Sequence, residues 1–350
     1  MTPPSAPEAQ VRERAQVETL AAAYYRRQTH LAATAARLTA RWWRAMPRAD
    51  MDFYWRLNAA ALIAVFAEMQ EKAAADADAY VSACLLAQEV EPAPAGRLDP
   101  AAFAGHAADG RPLESLLYRP LITTKALIGR GASESIAFER GLAELLTIAN
   151  SEIADAGRAA TGARIATDRA CAGYVRMASA KACARCAVLA GRVYAFNRGF
   201  KRHRRCHCYH VPMGRKERWR KRAETYVEDP REHFDRLTAA EQDRRYTAAG
   251  ARAIRDGADI TQVVNARRGL YTADAFGRRV QATREGTRRR SSPFVRRELA
   301  RAIERGQLPR GHSGRGWRPH TPRFTPEAIY KTADSRDEVI RMLRHHGYLV

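Results

Sequence analysis

A chain of 350 residues can bury a substantial core, and with 46% hydrophobic residues it is not wholesale disordered. Its 60 Lys+Arg against 38 Asp+Glu give a formal charge of +22, which favours polyanionic partners, nucleic acid first and acidic protein or membrane surfaces second. The longest strongly apolar stretch, AAALIAVFAEM near 59–69, is too short to span a bilayer, and no basic n-region followed by an apolar run opens the chain. The expectation is a protein made in a reducing cytoplasm with no membrane partner. In that compartment closely spaced cysteines read as metal ligands or catalytic thiols before disulfides.

In chain order, residues 8 to 46 read as one long helix ended by Pro47. Val17, Leu20, Tyr24, Leu31, Ala35, Leu38 and Trp42 recur at helical spacing and predict its buried face. A second helix is predicted from Asp52 to Gln88, with Leu57, Ala61, Val65 and Met69 as its stripe. Together, residues 1–88 form a helical region that either packs its own core or serves as a docking arm. EVEPAPAGRLDP opens a linker or loop over 89–112, and helix returns over 113–172 with a break near Gly129 and Gly131. The runs GYVRMA (173–178) and RVYAF (192–196) predict short strands beside the first cysteine pair.

Residues 173–215 form the Cys/His region, and 216–265 read as helical again. Within that stretch Thr238 and Glu241 make a capping box, and Gly257 suits the end of the helix they open. From Arg267 to Arg323 there are sixteen arginines, no lysine and four acids, with glycines, prolines and the run TRRRSS; residues 266–323 are expected to be a flexible arm. Arg267, Arg268, Arg278, Arg279, Arg288, Arg289, Arg290, Arg296 and Arg297 are its candidate phosphate contacts, giving salt-dependent binding without base choice. An Arg-rich solvated surface is the plainer alternative. Residues 324–350 close the chain as a helical segment with Ile329, Ile340 and Leu343 apolar and Gly347 as its stop.

The chemistry concentrates between residues 183 and 210, which hold four of the six cysteines and three of the ten histidines. Cys183-x2-Cys186 is a two-residue knuckle, half of a typical structural zinc site. His203-x2-Cys206-x-Cys208-x-His210 follows and offers the remaining ligands. Cys183 and Cys186 rank first, then Cys206 and Cys208, with His203 a close competitor, His210 behind it and His207 pointing away. A redox dithiol and unliganded cysteines are the alternatives. Nearby arginines would favour the thiolates that Zn2+ requires. No zincin, deaminase, phosphate-loop, dinucleotide or nucleophile-elbow motif is present, so no catalytic set is legible. Cys84 and Cys171 sit in apolar contexts and read as core thiols.

The stretch GYVRMASAKACARCAVLAGRVYAFNRGFKRHRRCHCYHVP resembles the hallmark region of MuF-like minor head proteins of tailed bacteriophages, of the type carried by phages of actinobacteria. Cys183, Cys186, Leu189, Ala190, Gly191, Tyr194, Phe200, His203, Cys206, Cys208, His210 and Pro212 carry the likeness. AFAGHAADGRPLESLL upstream and TREGTRRR, TPEAIY and RDEVIRMLRHHGYL downstream extend it over most of the chain. Arg204 stands where that family usually has Pro, and His207 where it often has an acid. The resemblance implies a head-morphogenesis protein at the portal vertex and capsid interior of the virion, present in the host cytoplasm during assembly. Its implied partners are the portal and capsid proteins, with DNA met through non-specific phosphate contacts. The alternatives are a zinc-knuckle DNA-binding or nuclease-like enzyme and a fusion to a capsid maturation protease. The expected fold is mainly α (α+β): long N-terminal helices, a small central knuckle with short strands, a basic arm and a terminal helix.

Overall fold

The structure is a computed structural model and describes residues 6–179, 182–200, 202–203, 206–226, 229–275 and 277–349. It is mostly helical, with two small antiparallel sheets of three strands each. In chain order the elements are helices α1 (Ala6–Arg44), α2 (Met51–Ala87), α3 (Leu113–Gly129) and α4 (Glu134–Thr167), then strand β1 (Cys171–Ala178). Next come α5 (Ala184–Leu189), β2 (Arg192–Ala195), β3 (Cys208–Gly214), α6 (Trp219–Glu224) and α7 (Pro230–Asp235). After these lie α8 (Ala239–Tyr246), α9 (Ala248–Arg255), α10 (Ile260–Ala266), β4 (Leu270–Ala275) and β5 (Arg278–Thr283). The chain closes with α11 (Pro293–Glu304), β6 (Arg323–Phe324), α12 (Pro326–Thr332) and α13 (Arg336–His345). It divides into two compact units, Met1–Lys181 with Ala190–Val227, and Ala182–Leu189 with Glu228–Val350. Among the described residues no helix is long and apolar enough to cross a membrane.

In the first unit α1 to α4 pack around a core that includes Trp43, Leu62, Phe66, Leu117, Leu121 and Leu145. The long α1 forms as the periodicity predicts, but its buried line runs Val17, Ala21, Tyr24, Gln28, Ala32, Ala35, Thr39 and Trp43. Leu20, Leu31, Leu38 and Trp42 flank that line, half-buried. Of the stripe predicted for α2 only Met69 is buried: Leu57 is 66% exposed, Ala61 is exposed and Val65 half-buried, while Trp55, Ala59, Leu62 and Phe66 face the core with Met69. An Ala-rich helix has apolar residues on every side, so hydropathy alone does not fix which side finds partners. Alanine and glycine also set the spacing, since a Cβ on Gly141 of α4 would run into Thr124 Oγ1 and the Trp43 ring.

The segment after α2 is held by the residues before β1. Asp168 accepts from Ala93 N–H at 3.0 Å and Ala170 N–H at 2.8 Å, and Pro94 pairs with Asp168 as an isolated bridge. Arg164, one helical turn back, donates to Asp168 at 2.5 Å and forms an ion pair with Asp78 at 2.8 Å. The strands predicted at 173–178 and 192–196 form β1 and β2, and a third strand, β3, pairs on the other side of β1 in the order β2-β1-β3. Pro212 obscures β3 in the sequence because proline cannot donate to a ladder; here β3 is an edge strand, which tolerates it. Gln88 covers that edge, donating to Pro212 O at 2.9 Å and accepting from Gly214 N–H at 3.0 Å.

The second unit has its own core around Phe234, Tyr246, Ile254, Val263, Phe324, Ile329, Leu343 and Tyr348. The capping box of Thr238 and Glu241 opens α8 as predicted, and Gly257 adopts a positive φ after α9. The single helix expected between them is two, broken at Thr247, whose φ is 71° and whose hydroxyl caps α9 through Gly250 N–H. The arm expected to be flexible at 266–323 is instead folded in large part: β4 and β5 form a hairpin, α11 follows, and β6 completes the sheet β4-β5-β6. Its apolar anchors Val280, Ala282, Phe294 and Val295 are buried, and they outweigh the compositional bias toward disorder.

Candidate metal centre

The Cys/His region is assembled from one short helix, one loop and one strand. Cys183 precedes α5, and its carbonyl accepts from Ala187 N–H at 3.0 Å, so the Cys-x2-Cys spacing spans the first turn of that helix. Cys186 lies in α5 and is fully buried, whereas Cys183 is the most accessible of the four thiols. His203 and Cys206 come from the loop between β2 and β3, and Cys208 opens β3 opposite Ala178 of β1.

The ligand atoms of Cys183, Cys186 and His203 lie within 4.8 Å of one another, and so do those of Cys186, Cys206 and Cys208. All five residues named from the sequence therefore fall into two overlapping groups that share Cys186. Thiolates with an imidazole form a soft to borderline donor set, suited to a transition-type ion such as zinc and unsuited to magnesium or calcium, which take oxygen. The cluster is able to hold a metal ion.

His210 is not brought into either group. Its ring is buried edge-on against Tyr174 at 4.5 Å and beside Phe200 at 5.4 Å, and its Nδ1 is a buried atom without a hydrogen-bond partner. Burial, with Arg202, Arg158 and Arg176 nearby, lowers its pKa well below the usual histidine value, so it is neutral. His207 turns elsewhere, as expected, with its Nδ1 2.6 Å from Tyr25 Oη. Arg204, a departure from the resembled pattern, lies outside the described residues.

The sequence led to the expectation of arginines beside the thiols, but it did not single out the two that serve the cluster, Arg176 and Arg158. Arg176, in the middle of β1, is 2% exposed and donates through Nε and Nη2 to Cys208 Sγ at 3.3 and 3.2 Å. Its guanidinium also lies over the Phe200 ring, 4.1 Å from the centroid. Such a cation favours the thiolate over the thiol, and the thiolate is the form that ligates metal. Arg158 of α4 donates to the carbonyls of Cys206 and Cys208, at 2.8 Å for the latter, which fixes the end of the loop carrying Cys206 and the start of β3 carrying Cys208. Asp155 pairs with Arg158 at 3.0 Å and with Arg202 at 2.8 Å. The available signal was a charge inside the otherwise apolar run GYVRMA, where burial demands a partner.

The two thiols read as core residues are that. Cys84 and Cys171 are buried in one apolar cluster with Val81, Tyr174 and Met213, and burial pushes each thiol up to about 12. The nine arginines named as phosphate contacts spread over the end of α10, the β4–β5 hairpin, the following turn and α11. Eight are exposed; Arg297 is half-buried and donates to the carbonyls of Arg344 and Leu349.

Fold and site together define a mainly helical α+β protein with a central cysteine cluster. Residues 13–237 match the protein-family model described as VG15 protein, and the chain belongs to that family. No curated protein and no solved structure matches it. The matched span contains the whole Cys/His region and stops short of the arginine-rich segment.

Proposed function

We propose that this protein is a structural minor head protein of a tailed bacteriophage, of the MuF-like type, acting in procapsid assembly at the portal and capsid interior. Its partners are the portal and capsid proteins. Its location is the virion, with the host cytoplasm as the place of assembly. The cysteine cluster holds one Zn2+ in a structural role, and the exposed arginines between 267 and 323 meet packaged DNA through phosphates. The observation that carries the reading is the grouping of Cys183, Cys186, His203, Cys206 and Cys208, the thiols and imidazole of the motif on which the resemblance rests. Zinc fits because four-coordinate thiolate and imidazole sites are its usual structural form, and arginines beside the sulfurs offset the negative charge of such a site.

The test is co-expression with a phage portal protein and capsid protein, followed by sedimentation of the assembled particles. The protein is expected to travel with procapsids in few copies and to be retained by portal alone. Absence from particles, together with metal-dependent cutting of plasmid DNA, would move the reading to a nuclease-like enzyme. Cleavage of the capsid protein in the same co-expression would move it to a maturation protease.

A further inference from the structure

The second unit contains a cavity of about 470 Å³ between β5, β6 and α13, a size within the roughly 300–1,000 Å³ range of small-molecule sites. Its apolar side comes from Val280 of β5, Phe324 of β6 and Met342 of α13. Arg278, Arg301 and Arg341 line it as well. Arg301 is engaged, 3.7 Å from Glu298 and 3.3 Å from His345 Nε2. Arg278 and Arg341 are exposed and have no ion-pair partner among the described residues. His345 also lines the cavity, and its Nδ1 is a buried atom with no hydrogen-bond partner.

Two carboxylates complete the lining, Asp334 just before α13 and Glu338 in its first turn. Glu338 accepts from Asp334 N–H at 2.8 Å and keeps acceptor capacity to spare. A ligand that is only an anion would meet these acids unfavourably. One that combines an anionic end, a flat apolar body and hydroxyl donors would suit the free arginines, the apolar side and the two acids together. We propose that this cavity binds a nucleotide, with its phosphate on Arg278 and Arg341, its base against Val280, Phe324 and Met342, and its sugar hydroxyls donating to Asp334 and Glu338. Guanidinium forks recognise phosphate oxygens in pairs, and the apolar floor gives a base somewhere to leave water. The site does not depend on the head-protein reading, since none of its residues belongs to the cysteine cluster.

Isothermal titration of the full chain with AMP and with GMP tests this, alongside inorganic phosphate and adenosine. Saturable binding of at least one nucleotide near one per chain is expected, with phosphate and adenosine each much weaker. The double variant Arg278→Ala, Arg341→Ala should bind at least about tenfold more weakly, from the loss of charge-assisted hydrogen bonds. Its melting temperature should be unchanged, because both side chains are exposed. No saturable binding of either nucleotide, equal binding of inorganic phosphate, or a double variant that binds as well as the parent would each overturn the proposal.

Discussion

In the first unit, Arg158, Arg164 and Arg176 are buried, each on a backbone carbonyl, a carboxylate or a sulfur. Between residues 267 and 323, Arg267, Arg268, Arg278, Arg279, Arg288, Arg289, Arg290 and Arg296 stand exposed on a hairpin, a turn and a helix. The same residue type thus builds a site in one region and presents charge in the other. Arg323 marks the limit of the contrast: it belongs to the arginine-rich segment yet is fully buried, donating to the carbonyls of His346 and Glu285 and to Gln262 Oε1. A net charge of +22 therefore overstates what is available to a polyanion, because part of it is structural.

The comparison breaks most sharply at Cys186, the residue shared by both ligand groups. Cys186→Ser should lower zinc from about one per chain to near zero and cost on the order of 4 kcal/mol, the scale of lost metal sites. Elemental mass spectrometry and thermal melting measure the two effects. Cys84→Ser is the control, a buried thiol outside the cluster that should keep the metal. Retained zinc in the Cys186 variant would mean that the ligands are chosen otherwise.

Arg164→Met comes next. It strips a buried Asp168 of its guanidinium partner, which should cost about 3 kcal/mol by urea denaturation, with zinc content unchanged. A loss under about 0.5 kcal/mol would show that this arginine is no more structural than the exposed ones.

The smallest effect on stability is expected for the triple variant Arg288→Ala, Arg289→Ala, Arg290→Ala. It should melt within about 0.5 kcal/mol of the parent. Fluorescence anisotropy with a DNA duplex at several salt concentrations should show weaker binding and a salt slope shallower by up to about 2.7, at roughly 0.9 per phosphate contact. An unaltered slope would remove these three from any DNA interface.

What the sequence determined by itself is the local and the covalent. Helical periodicity placed α1 and α2, Pro47 marked the end of the first, the capping box opened α8, and Cys-x2-Cys followed by His-x2-Cys-x-Cys named every residue of the cluster. These signals lie within a few residues of what they specify, so no knowledge of distant partners is needed. The tertiary structure decided the rest. It chose which face of Ala-rich α2 is buried, paired β3 with β1 despite Pro212, and folded an arginine-rich segment around a few apolar anchors. It also set His210 among aromatic rings rather than with the thiols and brought Arg176 onto Cys208. Each of these depends on a residue far away in the chain, and burial and charge compensation act only once the fold has brought the two together.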